Sequence, residues 1–295
     1  MILLWGISGD DPTVAVYESL LKMDASVVFL DQMQNRDSEI ELSVAKEVSG
    51  SLKIGWKLVD LSTITSAYIR PYDTIKINTI RQEEEQLMDK GMHEAPSLHN
   101  TLNFDDTLLC WTELTQALVV NKPSAMASNN SKSYQSNLIR SSGMDIPDTL
   151  VTTDEKAVLE FWDKHRKIIY KSLSGFRSIV SQLKPEDKGR LNKLSSCPTQ
   201  FQEYIEGIDY RVHVVGEDLF ISKIVSNADD YRYAWKQGYG VHVSSCTIPG
   251  EISERCIRLV RSLHLHLAGI DLRCTPDGRW YCFEVNPSPG FTFYQ

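Results

Sequence analysis

The apolar positions of the first third fall in short unbroken runs. "MILLWGIS" (1–8) and "SVVFLD" (26–31) are such runs and predict buried strands. Between them, Pro12 to about Met23 reads as a helix, with a proline suited to its first turn. The chain therefore opens as a β-α-β unit. Residues 39–61 predict two short strands around Gly50, and "SAYIRPYD" (66–73) predicts a third that ends in a loop. Residues 80–90, "IRQEEEQLMDK", are very polar and predict a solvated helix face or a mobile loop. "TLLCWTELTQALV" (107–119) predicts a helix.

Beyond "VVNKP" the pattern changes to a Ser/Asn-rich boundary. Ser128 or Asn129 can cap a helix running to Ser142, with Gly143 just past its end. "IPDTLVT" predicts a short strand. Thr152 with Glu155 makes a capping box for a helix carrying Val158, Phe161 and Trp162. "KIIYKSLSG" (167–175) predicts a strand entering a Gly/Ser loop, and 184–199 a loop-rich link. Three strands follow: "FQEYI" (201–205), "YRVHVVG" (210–216) and "LFISKIV" (219–225), the last two joined by a tight "GED" turn. Residues 226–250 predict a long functional loop. Apolar positions 252, 256, 259, 260, 263 and 267 keep helical spacing, with Gly269 as the stop. "IDLRCT" (270–275) and "RWYCFEVN" (279–286) predict a closing hairpin across "PDG".

Composition narrows the class. The 295 residues are 42% hydrophobic and 24% charged, enough for a large core or two to three subdomains. A net charge of −8 argues against a general nucleic-acid binder, so an anionic ligand would need a local Lys/Arg cluster. The six cysteines show no C-x-x-C spacing and read as reduced and partly buried. The N-terminus lacks a basic n-region and a full apolar h-region, and no apolar run approaches ~18 residues. These features predict a cytoplasmic protein with no membrane partner.

The final hairpin carries the first candidate chemistry. Side chains alternate along a strand, so Asp271 and Arg273 share one face, and Glu284 and Asn286 share another. A four-residue loop, Pro276 to Arg279, would pair Thr275 with Trp280 and Asp271 with Glu284. Two carboxylates and an amide then converge. Oxygen-only ligands of this kind suit Mg²⁺ beside phosphate oxygens. The bland alternative is a solvated polar face.

Six segments in order carry a resemblance: "NKP…SK…G…IPDT" (121–149), "IIYKSLSG" (168–175), "FQEYIEGIDYRV" (201–212), "ISK" (221–223), "GIDLR" (269–273) and "FEVNPSPGF" (283–291). This order resembles the ATP-grasp ligases, in the branch of ribosomal-protein glutamate ligases and graspetide (microviridin-type) peptide macrocyclases. "ITSAYIRPYD" is similar to the segment preceding the ATP-binding part in the macrocyclase-like members. The resemblance implies an α/β (α+β) ATP-grasp fold. An N-terminal pre-ATP-grasp α/β domain would cover 1–116, a central subdomain 117–190 and a C-terminal subdomain 191–295, the last two sandwiching ATP.

The resemblance also implies roles. Lys132 and Lys171 stand where the family's nucleotide lysines stand, and the loop with Ser174 and Gly175 resembles the one that closes over phosphates. Gln202, Glu203, Tyr204 and Ile205 lie in the hinge that grips the nucleoside, with Asp209 in the place of the ribose acid. Arg211 and Lys223 would point towards the γ-phosphate and the acyl phosphate. Asp230 and Arg232 resemble a D-x-R clamp, and Arg273 would hold the reacting carboxylate. Asp271, Glu284 and Asn286 would hold Mg²⁺, two ions in the implied chemistry, with Mn²⁺ as a substitute.

The implied activity is ATP-dependent joining of a carboxylate to an amine or hydroxyl through an acyl phosphate. The implied partners are ATP and a carboxylate-bearing substrate, a peptide by the N-terminal likeness. Two alternatives stand: a small-molecule amino-acid or dipeptide ligase, and a non-catalytic nucleotide-binding module. Many relatives are homo-oligomers, but no dimer face is legible. Relatives usually continue into another helix after the Pro-Gly-Phe element, where only Thr292 to Gln295 remain. His264 and His266 are spaced wrongly for a helical zinc pair, and His213 reads as structural. No Walker, dinucleotide or nucleophile-elbow motif occurs.

Overall fold

A computed structural model describes residues 1–34, 38–77, 98–173, 180–226, 231 and 238–294. They form two compact units: Met1–Ala125 with Gly290–Phe293, and Met126–Pro289 with Tyr294. The polar stretch 80–90 lies outside the described residues.

In the first unit, β1 (Ile2–Gly6), α1 (Asp11–Lys22) and β2 (Val27–Asp31) make the expected β-α-β unit. Region 39–61 holds three strands rather than two: β3 (Glu39–Val44), β4 (Val48–Ile54) and β5 (Lys57–Asp60). Gly50 lies inside β4 because a Cβ there would stand 2.1 Å from the Glu41 carbonyl oxygen. The turn falls at Gly55, whose φ of +58° suits glycine. β6 (Ser66–Ile69), α2 (Leu98–Leu114) and β7 (Leu118–Val120) complete the unit, so the expected 107–119 helix gives way to a strand at its end. Parallel strands run in the order β2-β1-β6-β7, while β3-β4-β5 form a separate antiparallel sheet. Leu3, Leu4, Trp5, Leu30, Leu108 and Trp111 form its core.

Where β1 passes into α1, Asp10 caps the helix by accepting from Thr13 N–H and also takes a hydrogen bond from Arg70 Nε at 2.9 Å. Burial would raise its carboxyl, but the bonds from Arg70 and Thr13 win and hold it below the usual carboxylate value.

In the second unit, α3 (Lys132–Ser141) is capped by Ser131, not by Ser128 or Asn129, which lie in a 3₁₀ turn before it. β8 (Thr149–Thr152) leads to α4 (Glu155–His165), capped by Asp154 rather than by a Thr152–Glu155 box. β9 (Ile168–Ser172), β10 (Ser181–Gln182) and β11 (Thr199–Glu203) join β8 in the antiparallel order β10-β9-β11-β8. Val158, Ile168, Leu183, Leu191 and Phe201 pack beneath that sheet. The expected link at 184–199 is mostly a 3₁₀ stretch, Pro185–Ser196.

The last sheet is antiparallel, in the order β14-β13-β12-β15-β16. Its strands are β12 (Ile208–Val215), β13 (Asp218–Ser226), β14 (Val241–Ser245), β15 (Leu267–Cys274) and β16 (Trp280–Asn286). Helix α5 (Gly250–Ser262) packs on β12 and β15 with Ile252, Cys256, Leu259 and Val260 buried. It stops before Gly269, which sits inside β15 instead. A Cβ on Gly269 would stand 2.7 Å from the Arg211 guanidinium carbon, so glycine there makes room for that side chain. No disulfide links the six cysteines; Cys256 and Cys282 are buried, and Cys110 and Cys197 are exposed.

Candidate functional site

An open cleft lies between the two sheets of the second unit. From β9 and β11 it is lined by Ile169, Lys171 and Gln202, followed by Tyr204. From β12, β15 and β16 come Asp209, Asp271, Arg273, Phe283 and Glu284. Alternation explains the set: 169 and 171 share one strand face, and 271 and 273 another.

Cross-strand pairing sets four opposite charges in a checker. Asp209 lies opposite Arg273, and Arg211 opposite Asp271. Arg273 is bidentate on Asp209, at 2.7 and 2.9 Å, and its Nη1 donates to the Ile205 carbonyl at 2.8 Å. Its guanidinium is thus turned to Asp209 and the Ile205 carbonyl. Arg211 is 5% exposed and donates to Asp271 Oδ1 at 2.6 Å. Its Nε donates to His213 Nε2 at 3.3 Å, so His213 helps to position Arg211.

Asp271 and Glu284 are direct cross-strand partners. The route differs from the expected one. Cys274, not Thr275, pairs with Trp280, because Thr275 closes on Arg279 instead, its N–H donating to the Arg279 carbonyl at 2.9 Å, which leaves a three-residue turn, 276–278, with Gly278 at a φ of +85°. That register alone would set Phe283 opposite Asp271. A β-bulge between Asp271 and Leu272 absorbs one extra residue on β16 and restores Glu284 to the place beside Asp271. Asn286 follows on the same strand face, its Oδ1 accepting from Ser288 N–H at 3.1 Å. A carbonyl oxygen keeps a second lone pair, so the amide can still ligate. No hydrogen bond from a described residue holds the Glu284 carboxylate, and no cluster of three His, Cys, Asp or Glu side chains occurs among the described residues. The donor set, two carboxylates and an amide oxygen, fits a hard divalent cation.

Gln202 is 2% exposed, and its Oε1 has no partner among the described residues, a buried acceptor facing the cleft. Such an acceptor fits an amino group of a bound base. The Glu203 carboxylate is turned away, accepting from Asp148 N–H at 2.9 Å and meeting His165 Nδ1 at 3.3 Å. Tyr204 lies with its ring under Lys167.

Other expected residues are not gathered here. Lys223 pairs with Tyr210, so it shares the face opposite Arg211. The turn is Gly216–Glu217 only, because Asp218 already pairs with Val215. Lys132 sits half-buried at the start of α3 and is not among the described cleft-lining residues. Ser174, Gly175, Asp230 and Arg232 lie outside the described residues.

Two tyrosines join the site unannounced by any pattern. Tyr294 sets its ring edge on His213 at 5.1 Å and stands 5.8 Å from the Arg211 guanidinium. Its hydroxyl meets that of Tyr231 at 2.8 Å. Burial, with the Asp271 carboxylate nearby, pushes the Tyr231 phenol far above its ordinary value, so it stays a hydroxyl. Part of the cover over Arg211 therefore comes from Tyr294.

Residues 127–295 match the family model described as the RimK-like ATP-grasp domain. Among solved structures, the chain is similar to macrocyclase MdnC from Microcystis aeruginosa MRC, bound with precursor peptide MdnA. The TM-score is 0.78 and the identity 21%, over 99% of this chain and 93% of that one. It is also similar to the ATP-grasp ligase PsnB complexed with a phosphomimetic variant of a minimal precursor, Mg and ADP. There the TM-score is 0.78 and the identity 22%, over 99% and 92%. The D-alanine--D-alanine ligase of Aquifex aeolicus (strain VF5) is 26% identical over 179 residues, 57% of this chain and 62% of that ligase's length.

Proposed function

The chain belongs to the RimK-like ATP-grasp family, and on that premise we propose that it is an ATP-dependent ligase joining a substrate carboxylate to an amine or hydroxyl. The observation that carries this reading is the cleft itself. A buried lysine and a glutamine acceptor without a partner among the described residues stand on one sheet and face two carboxylates in register on the other.

The residues divide the work by position. Gln202, Tyr204 and the backbone to Ile205 hold the base, and Asp209, steadied by Arg273, accepts from the ribose hydroxyls. Lys171 offers an ammonium to the phosphates. Asp271, Glu284 and Asn286 would hold Mg²⁺, two ions by this reading, with Mn²⁺ as a substitute. Bound there, Mg²⁺ would neutralise phosphate charge and favour in-line attack. Arg211 brings a fixed positive charge to the side where the transferred phosphoryl group leaves. The substrate carboxylate takes the γ-phosphoryl group and becomes an acyl phosphate. An amine or hydroxyl then displaces phosphate. The protein contributes placement and charge, not a covalent nucleophile.

The likeness of the whole chain to MdnC and PsnB, both solved with precursor peptides, supports a peptide acceptor. The match to a D-alanine--D-alanine ligase supports the second reading, a small-molecule ligase. Among the described residues no helix is long and apolar enough to cross a membrane.

The test is phosphate release from ATP with Mg²⁺, against peptides rich in Thr, Ser, Lys, Asp and Glu and against free amino acids. Loss of one water per bond from a peptide supports peptide ligation or macrocyclisation. Release with amino acids alone favours the second reading. ADP binding without release on any acceptor would leave a nucleotide-binding module and overturn the ligase.

A further inference from the structure

β16 is an edge strand of its sheet, and among the described residues no strand lies along its outer side, which meets only an isolated bridge between Tyr281 and Asp145. At Val285 that place is taken by a side chain. Gln135, on α3 and 2% exposed, donates from Nε2 to the Val285 carbonyl at 2.7 Å. Its Oε1 accepts from the Val285 N–H at 3.0 Å. One amide thus acts as the missing strand neighbour. A third external bond lies at Cys282, whose N–H donates to the Asp145 carbonyl at 2.8 Å.

These two anchor points, Cys282 and Val285, bracket the bulged stretch of β16. The extra residue lies between 282 and 285, within the step that sets Glu284 opposite Asp271. A bulge is the part of a ladder with the fewest internal restraints. Val285 is fully buried, and its flanking residues are Glu284 and Asn286, two of the candidate cation ligands. We infer that Gln135 is a positioning residue for that cation site: it pins the outer edge of β16 beside the bulge and so fixes the spacing of Glu284 and Asn286 against Asp271. Lys132 stands one turn before Gln135 on the same helix, so the clamp also ties α3 to the ligand strand.

This inference rests on the ligase reading above. Gln135→Met keeps much of the volume and removes both hydrogen bonds. ADP binding is followed by calorimetry in EDTA and across a Mg²⁺ series. For Gln135→Met the half-saturating Mg²⁺ rises about tenfold, the scale of lost ligand support, while affinity for ADP in EDTA stays within about twofold of wild type, because Gln202, Asp209 and Lys171 are untouched. An unchanged Mg²⁺ dependence overturns the inference, as does an equal loss in EDTA, which marks general damage. If Gln135→Met does not fold, Gln135→Glu keeps the acceptor for the Val285 N–H. It should show the same shift at smaller size, and a wild-type Mg²⁺ dependence overturns the clamp equally. Wild-type protein that shows no Mg²⁺-dependent ADP binding overturns the ligase reading itself, a separate result.

Discussion

Arg211 and Asp271 form an ion pair of 2.6 Å in which the arginine side chain is 7% exposed and the aspartate 30%. A buried guanidinium without its carboxylate is costly, so the two candidate cation carboxylates are not equivalent under substitution.

Glu284→Gln leaves the ion pair intact. It should keep the melting temperature within a few degrees and lower ATP consumption by about 100-fold or more, since losing a ligand costs at least what losing ligand support costs. Asp271→Asn should lose turnover and also about 2–3 kcal/mol of stability, below the ~3–5 of a fully buried pair because the aspartate is partly exposed. Phosphate release and thermal melts check both. Unchanged ATP consumption in Glu284→Gln would remove it from the cation site.

Arg273→Lys replaces a fork by a point charge at a bidentate partner. Nucleotide affinity should fall about tenfold with turnover at saturating ATP within about twofold, the signature of lost binding rather than lost chemistry. A fall in kcat at unchanged KM would instead return Arg273 to the reacting carboxylate.

Tyr294→Phe removes only the hydroxyl that meets Tyr231. A stability loss of about 1 kcal/mol is expected, one hydrogen bond's worth. Tyr294→Ala also opens the cover over Arg211 and should lower kcat/KM further. Equal kinetics for the two variants would show that the ring contributes nothing beyond the hydroxyl.

Asp10 sets an acid limit on the first unit. Its folded carboxyl lies below the unfolded value of about 3.9, so its stabilisation is present above that pH and is lost as pH falls through the lower folded value. Asp10→Asn should be less stable near neutrality and flatter in its acid response below about pH 4. A denaturant series at several pH values measures this. A parallel pH slope in variant and wild type would contradict it.

Much of the second unit was legible because two-residue alternation and helical spacing survive without tertiary knowledge. Ile169 and Lys171 face the cleft as their strand predicts. The failures come from single residues in turns. Counting three residues at "GED" puts Lys223 beside Arg211; the two-residue turn at Gly216, φ +61°, puts it on the other face. Gly50 and Gly269 read as breaks but lie within strands, because each gives way to a neighbour rather than to a turn. Gln135, Tyr231 and Tyr294 left no trace in any periodicity, since each reaches the site from a distant part of the chain.

At the closing hairpin two counting errors cancelled: one residue fewer in the loop, one more in the strand. The extra residue near Phe283 works as a phase correction between turn and site. It makes the register at the turn a poorer guide to the site than the distance in sequence from Asp271 to Glu284, which the two changes leave as it was. A relative could lengthen the turn by one, lose the bulge and present the same two carboxylates at the same separation in sequence, while the residues between them change strand face.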